Sequence, residues 1–152
     1  VYLVIGGVGS LERKLKQLTS KLDLNKFVRF EGFILEEYLP LYYQSADVFI
    51  LPTKFLEGFG LVTLEALSSG LPVLGTPIGG TKEILGRLDS SLLFHDTSPE
   101  SMADSISRYI KYPGLNELSK RCREFVVRNY SWDNAITELD KLIKMETGFQ
   151  PI

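Results

Sequence analysis

Apolar positions along this chain follow two periods. Short runs of aliphatic and β-branched residues, each closed by glycine, proline or a charged turn, alternate with longer stretches whose apolar residues recur three and four apart. The runs predict strands at residues 1–5, 27–30, 47–51, 72–74 and 91–94. The stretches between them predict helices at 11–22, 36–45 and 61–69, with a short one around 81–85. Such alternation is the signature of a parallel sheet covered on both faces, and Val1-Tyr2-Leu3-Val4-Ile5 reads as a fully buried strand. After Phe94 only the helical period remains. Ser98 before Pro99 is an N-cap with proline at the first helical position, and Met102, Ile106 and Ile110 mark one face. Residues 115–129 follow Gly114 as the next helix, and Ser131 caps a last one with Ile136, Leu139, Leu142 and Ile143 in period. The expected fold class is α/β, a Rossmann-like doubly wound parallel sheet with a helical C-terminal tail, forming a single domain over residues 1–152. A first residue that is not methionine and that already lies in a strand implies that sequence upstream of Val1 is left out.

Composition narrows the partners. The chain has 152 residues, 44% apolar and 24% charged, enough for one core of useful size. Seventeen Lys plus Arg against nineteen Asp plus Glu leave a net charge of -2, so no positive field draws in nucleic acid. Cys122 and His95 are each alone, which leaves no disulfide and no thiolate or imidazole cluster; no metal and no cofactor are expected, and a reducing cytoplasm fits. No apolar run approaches the roughly 20 residues that span a bilayer, and the start lacks a leader pattern.

The chemistry concentrates between residues 55 and 70. There Glu57-Gly58-Phe59-Gly60-Leu61-Val62-Thr63-Leu64-Glu65 follows a strand and opens a helix. Ligands of open parallel sheets sit at such places, where helix N-termini present N–H groups without partners. Gly58 and Gly60 allow close approach and unusual dihedrals. The amides of Phe59, Gly60, Leu61 and Val62 then suit an anion, while Glu57 and Glu65 suit hydroxyls, each charge-assisted hydrogen bond contributing about 1.5–3 kcal/mol. A ligand with a diphosphate in its middle and a diol at each end satisfies both, and a nucleotide sugar is such a ligand. Taken singly, either glutamate is more simply a solvated acid or a complement to the helix dipole. Two further glycine turns, Gly6-Gly7-Val8-Gly9 and Gly79-Gly80, follow the first and fourth strands; each alone is an ordinary reversal, and together with the central one they suggest a long cleft at one sheet edge. Neither is a Walker sequence or a complete dinucleotide fingerprint, which disfavours ATPase and NAD readings.

With these residues in view, the chain resembles the retaining glycosyltransferases of the GT-B fold, in particular the glycosyltransferase group 1 family, often called family 4. Glu57 and Glu65 match the family's Glu-x7-Glu motif. Ala46 to Pro52, Gly70 to Gly80 with Glu83-Ile84, Phe30-Glu31-Gly32-Phe33 and Tyr130-Ser131-Trp132 match further blocks, so the likeness runs along almost the whole chain. The resemblance implies that Glu57 holds hydroxyls of the donor sugar near the reacting carbon, that Glu65 holds the ribose, and that the amides of Phe59 to Val62 receive sugar and diphosphate. It places Gly32, Phe33 and Ile34 beside the base and adds Gly7 and Gly9 to the donor site. It implies a metal-free reaction transferring a sugar from a UDP-, GDP- or ADP-sugar, with retention, to a glycan or lipid-linked acceptor. It further implies a missing first strand-helix unit carrying an Arg and a Lys, a missing N-terminal acceptor domain against which the last helix packs, membrane attachment, where there is any, through that domain, and an inactive isolated fragment. A nucleotide-sugar epimerase or a phosphorylase shares the fold, and a non-catalytic nucleotide-binding or protein-interaction module is the alternative outside enzymes.

Overall fold

The computed structural model describes residues 1–55 and 57–147, and its internal contacts divide the chain into two units, one running to Leu41 and the other starting at Tyr42. The first unit is a strand-helix-strand: β1 (Leu3–Gly6), α1 (Glu12–Lys21) and β2 (Val28–Gly32). β1 and β2 are parallel, with Leu3 opposite Val28 and Ile5 opposite Phe30, until an irregularity after Ile5 sets Gly6 opposite Gly32. α1 carries Glu12 in its first turn and Lys21 in its last, both favourable to the helix dipole, and Lys16 reaches Glu12 at 2.7 Å one turn away. The fully buried first strand expected from its apolar run is not observed. Val1, ahead of β1, is 89% exposed and Val4 within it 50%, because β1 pairs along one edge only and its faces are not fully covered; of the first 41 residues Thr19 alone is buried.

α2 (Leu39–Ser45) begins three residues later than the periodicity predicts. Glu36 to Tyr38 form a turn, the Tyr38 amide donating to the Leu35 carbonyl at 2.9 Å, and the helix starts just before Pro40, whose missing N–H costs nothing in a first turn.

The second unit opens with another strand-helix-strand, β3 (Phe49–Leu51), α3 (Leu61–Ser68) and β4 (Val73–Gly75), and continues with α4 (Gly79–Leu88), α5 (Pro99–Ile110), α6 (Leu115–Tyr130) and α7 (Trp132–Thr147). β3 and β4 are parallel, Phe49 opposite Val73 and Leu51 opposite Gly75. Ala66, Leu67, Val73, Leu74, Ile84, Leu85, Leu92, Phe94 and Cys122 are at most 2% exposed and form its core; each large side chain among them contributes about 1.5–3 kcal/mol. Burial pushes the Cys122 thiol up to about 12, so it packs as an apolar group and is inert. α3 ends in a Schellman turn: Gly70 takes φ +79°, Leu71 donates to Ala66 and Gly70 to Leu67, both at 3.0 Å. Ser119 and Arg123 of α6 bond the remaining carbonyls of Gly70 and Ser68, which ties α6 to the end of α3.

The α/β class, the parallel pairing and the helical C-terminal region are those the sequence predicts, with three further corrections beyond those to β1 and α2. The fifth strand shrinks to one parallel bridge, Gly75 to Leu93. Asp89 accepts from both the amide and the hydroxyl of Ser91 and winds residues 90–92 into a 3-10 turn. Partial burial of Asp89 works against its charge, but those bonds and the nearby Arg121 outweigh it and hold the carboxyl below its ordinary pKa. α4 is ten residues long, where a short stretch around 81–85 was expected, because the helix already begins at Gly79 and continues through Gly86 to Leu88. On α5, Ser98 caps as expected, yet the inward face is Ser105 and Tyr109 with Met102 and Ile106 half-buried, and Ile110 is exposed; the Tyr109 hydroxyl, donating to the Asp47 carbonyl at 3.0 Å, sets that rotation. Ser131 caps α7 through the Asn134 amide. Trp132, Ile136, Leu139 and Leu142 of α7 are exposed. No helix among the described residues is long and apolar enough to cross a membrane.

Candidate functional site

The chain leaves β3 after Leu51 and enters α3 through Gly60, which takes φ +81° as the residue before the helix. Only glycine adopts that conformation without strain. Gly60 is also hemmed in, since a Cβ there would lie 3.1 Å from both the amide and the hydroxyl oxygen of Thr81. No side chain caps the helix. The Thr63 and Leu64 amides turn back to the Gly60 carbonyl, and among the described residues no group accepts from the amides of Leu61 and Val62. Two N–H groups at the positive end of a helix dipole are thus left for a ligand.

The Gly79-Gly80 segment supports this loop from beneath. Gly80 donates its amide to the Gly58 carbonyl at 2.8 Å, a Cβ on Gly80 would overlap the Phe59 carbonyl, and one on Gly79 would overlap the Glu57 carbonyl. Backbone therefore lies directly on backbone, a closeness that glycine alone permits. A buried hydrogen bond between the hydroxyls of Thr63 and Thr81, 2.9 Å, fastens α3 to α4 just below. Two glycine turns that look independent in the sequence are one construction, and the second holds the first.

α3 sorts its residues by face. Thr63, Ala66 and Leu67 are buried, while Leu61, Val62 and Glu65 are exposed, so Glu65 stands one turn beyond the Leu61 amide on the outward side. The Tyr43 hydroxyl of α2 donates to Glu65 Oε2 at 3.0 Å. Burial, reinforced by the hydrogen bond to Glu65 and its negative charge, raises the Tyr43 phenol well above its ordinary pKa. Glu57 is half-buried, and its carboxylate has no hydrogen-bond or ion-pair partner among the described residues. Phe59 is 58% exposed, its ring set edge-on to Tyr130 with centroids 6.3 Å apart. Tyr130 in turn lies under the Arg87 guanidinium. Among the described residues no three His, Cys, Asp or Glu side chains gather where a metal ion is held.

In the first unit the structure brings Gly7 and Gly32 together. The Gly7 amide donates to the Gly32 carbonyl at 2.6 Å, and both take positive φ, +110° and +66°. Ile34 packs over Gly6, where a Cβ would stand 2.7 Å from its Cδ1, and Phe33 is 71% exposed. Gly9 faces open space. Tyr43 is the residue that sequence reasoning missed; it sits in an ordinary apolar stretch ahead of β3, and no pattern links it to a glutamate 22 residues away.

The family model described as glycosyl transferases group 1 matches residues 1–128. Among curated relatives, an uncharacterized glycosyltransferase of Methanocaldococcus jannaschii is 33% identical over 94% of this chain and 37% of its own length. A D-inositol 3-phosphate glycosyltransferase of Corynebacterium urealyticum is 32% identical over 93% of this chain and 34% of its own. Among solved structures, the sucrose-phosphate synthase of Thermosynechococcus elongatus superposes with a TM-score of 0.80 at 29% identity, over 97% of this chain and 38% of that one. The chain thus spans little more than a third of the length of these proteins.

Proposed function

Because the chain belongs to the group 1 glycosyl transferases, we propose that it is the donor-binding part of a retaining glycosyltransferase that takes a UDP-, GDP- or ADP-sugar. The observation that carries this reading is the N-terminus of α3, where the amides of Leu61 and Val62 have no acceptor among the described residues and the carboxylates of Glu57 and Glu65 stand before and after them in the chain. Amides at a helix N-terminus suit the diphosphate, and carboxylates suit hydroxyl groups. In this reading Glu57 accepts from hydroxyls of the donor sugar, Phe59 to Val62 receive the sugar and diphosphate, Glu65 accepts from the ribose, and Gly32, Phe33 and Ile34 lie beside the base. Gly7 and Gly9 let the donor approach the backbone.

The reaction breaks the bond between the anomeric carbon and the diphosphate oxygen. It forms a bond to an acceptor hydroxyl, of a glycan or a lipid-linked sugar, with the same configuration. Charge developing on the leaving diphosphate meets the fixed N–H groups of α3, so no metal is called for in this proposal; such preorganised donors act most strongly where water is excluded. A further acceptor-binding domain completes the site, and the exposed apolar row of α7 packs towards it. Alone, this chain binds donor weakly and transfers nothing measurable, since both substrates must be held face to face.

The test is transfer by the full-length protein with a panel of nucleotide sugars. Glu57→Ala is expected to lower kcat by about a hundredfold or more, the scale of losing a group that acts in the transition state. Unchanged transfer in that variant, with a protein partner lost instead, would overturn the reading in favour of an interaction module.

A further inference from the structure

The two carboxylates of the site are prepared differently. Glu57 has no side-chain partner among the described residues, whereas Glu65, itself exposed, is held by a tyrosine that is only 8% exposed. The Tyr43 ring is fixed edge-on against Phe49 of β3, centroids 5.7 Å apart at 87°, so its hydroxyl has little freedom of its own. It delivers one hydrogen bond from α2 to Glu65 Oε2 on α3, and among the described residues Oε1 has no partner. A free glutamate on a helix surface loses rotamer freedom when a ligand orders it; one already held loses less.

We propose that Tyr43 is a positioning residue for donor recognition: through its hydroxyl it fixes the Glu65 carboxylate in the orientation that accepts from the ribose hydroxyls of the nucleotide. The inference rests on the reading of Glu65 as the ribose ligand. Because the phenol is buried against a carboxylate, it remains protonated and remains a donor throughout the neutral range. Tyr43→Phe removes the hydroxyl and keeps the ring, so the packing on Phe49 survives while Glu65 is released.

The experiment is calorimetric binding to the full-length protein of whichever of UDP, GDP and ADP binds tightest, and of its 2′,3′-dideoxy counterpart. The unaltered protein is expected to prefer the ribonucleotide by about ten- to a hundredfold, the range for hydrogen bonds to a charged group. Glu65→Ala abolishes that preference, and Tyr43→Phe reduces it to a few-fold, with affinity for the dideoxy ligand unchanged. A Tyr43→Phe variant that keeps the full preference, or that weakens both ligands equally, overturns the proposal and leaves the role of Glu65 standing. If the unaltered protein and Glu65→Ala discriminate alike, or no nucleotide binds, the ribose role fails and the proposal with it.

Discussion

The two strand-helix-strand units of this chain share one sequence grammar, a short apolar strand, a glycine turn and a helix, yet their turns differ in how closely they are packed. After β1, a Cβ added at Gly7 or Gly9 meets nothing within 4 Å. At the second turn the glycines of α4 carry backbone against backbone, and an added methyl on Gly79 or Gly80 would overlap a carbonyl of the loop that holds Glu57. Glycine therefore serves the first turn by its dihedral alone, and the second by its missing side chain as well, since Gly60 and Gly79 there also take positive φ, +81° and +52°. Burial follows the same division, since one residue of the first 41 is buried while Gly60, Gly80 and Thr81, where the second turn rests on α4, are all buried.

Gly80→Ala is the sharpest way to break the comparison. The methyl strikes backbone that no rotamer change relieves, so a loss of about 3 kcal/mol, the upper end for overpacking, is expected in the region of α3 and α4. It is read as faster amide exchange there in the full-length protein, together with a loss of transfer activity. Unchanged exchange and activity in the Gly80→Ala variant would mean that the loop does not rest on α4.

Thr63→Val comes next. It leaves the buried Thr81 hydroxyl without its 2.9 Å partner, at an expected cost of about 2 kcal/mol. Replacing both threonines by valine removes donor and acceptor together and is expected to cost less than the single change. Equal costs for the single and double variants would show that the hydroxyl pair does not fasten α3 to α4.

Most of the order of elements was legible from period alone, and the Glu57 to Glu65 segment announced itself by its place between strand and helix. What stayed hidden depended on contacts distant in sequence. The apolar run at residues 1–5 predicts burial only if both faces find cover, and its exposure is decided by neighbours that a run cannot reveal. The strand expected at 91–94 has the right residues, but Asp89 and Ser91 compete for the same backbone and win a turn of it. Gly79-Gly80 read as one more reversal because nothing local records that the Glu57 loop lies on it. Tyr43 was hidden for the same reason: a tyrosine in an apolar helix looks like core, and here it is core with a hydroxyl that has a second task.

The smallest expected effects are in the first unit, and they separate dihedral from space. Gly7 takes φ +110° with its amide on the Gly32 carbonyl, so Gly7→Ala has room for its methyl but must hold a conformation that L-residues resist. A loss of about 1 kcal/mol is expected, seen as faster exchange of the β1 and β2 amides. Gly9 has equal room and no positive φ, and Gly9→Ala is expected to change stability by less than about 0.5 kcal/mol. If the two substitutions cost the same, the dihedral is not what Gly7 supplies, and the contrast with Gly80 would have to rest on crowding alone.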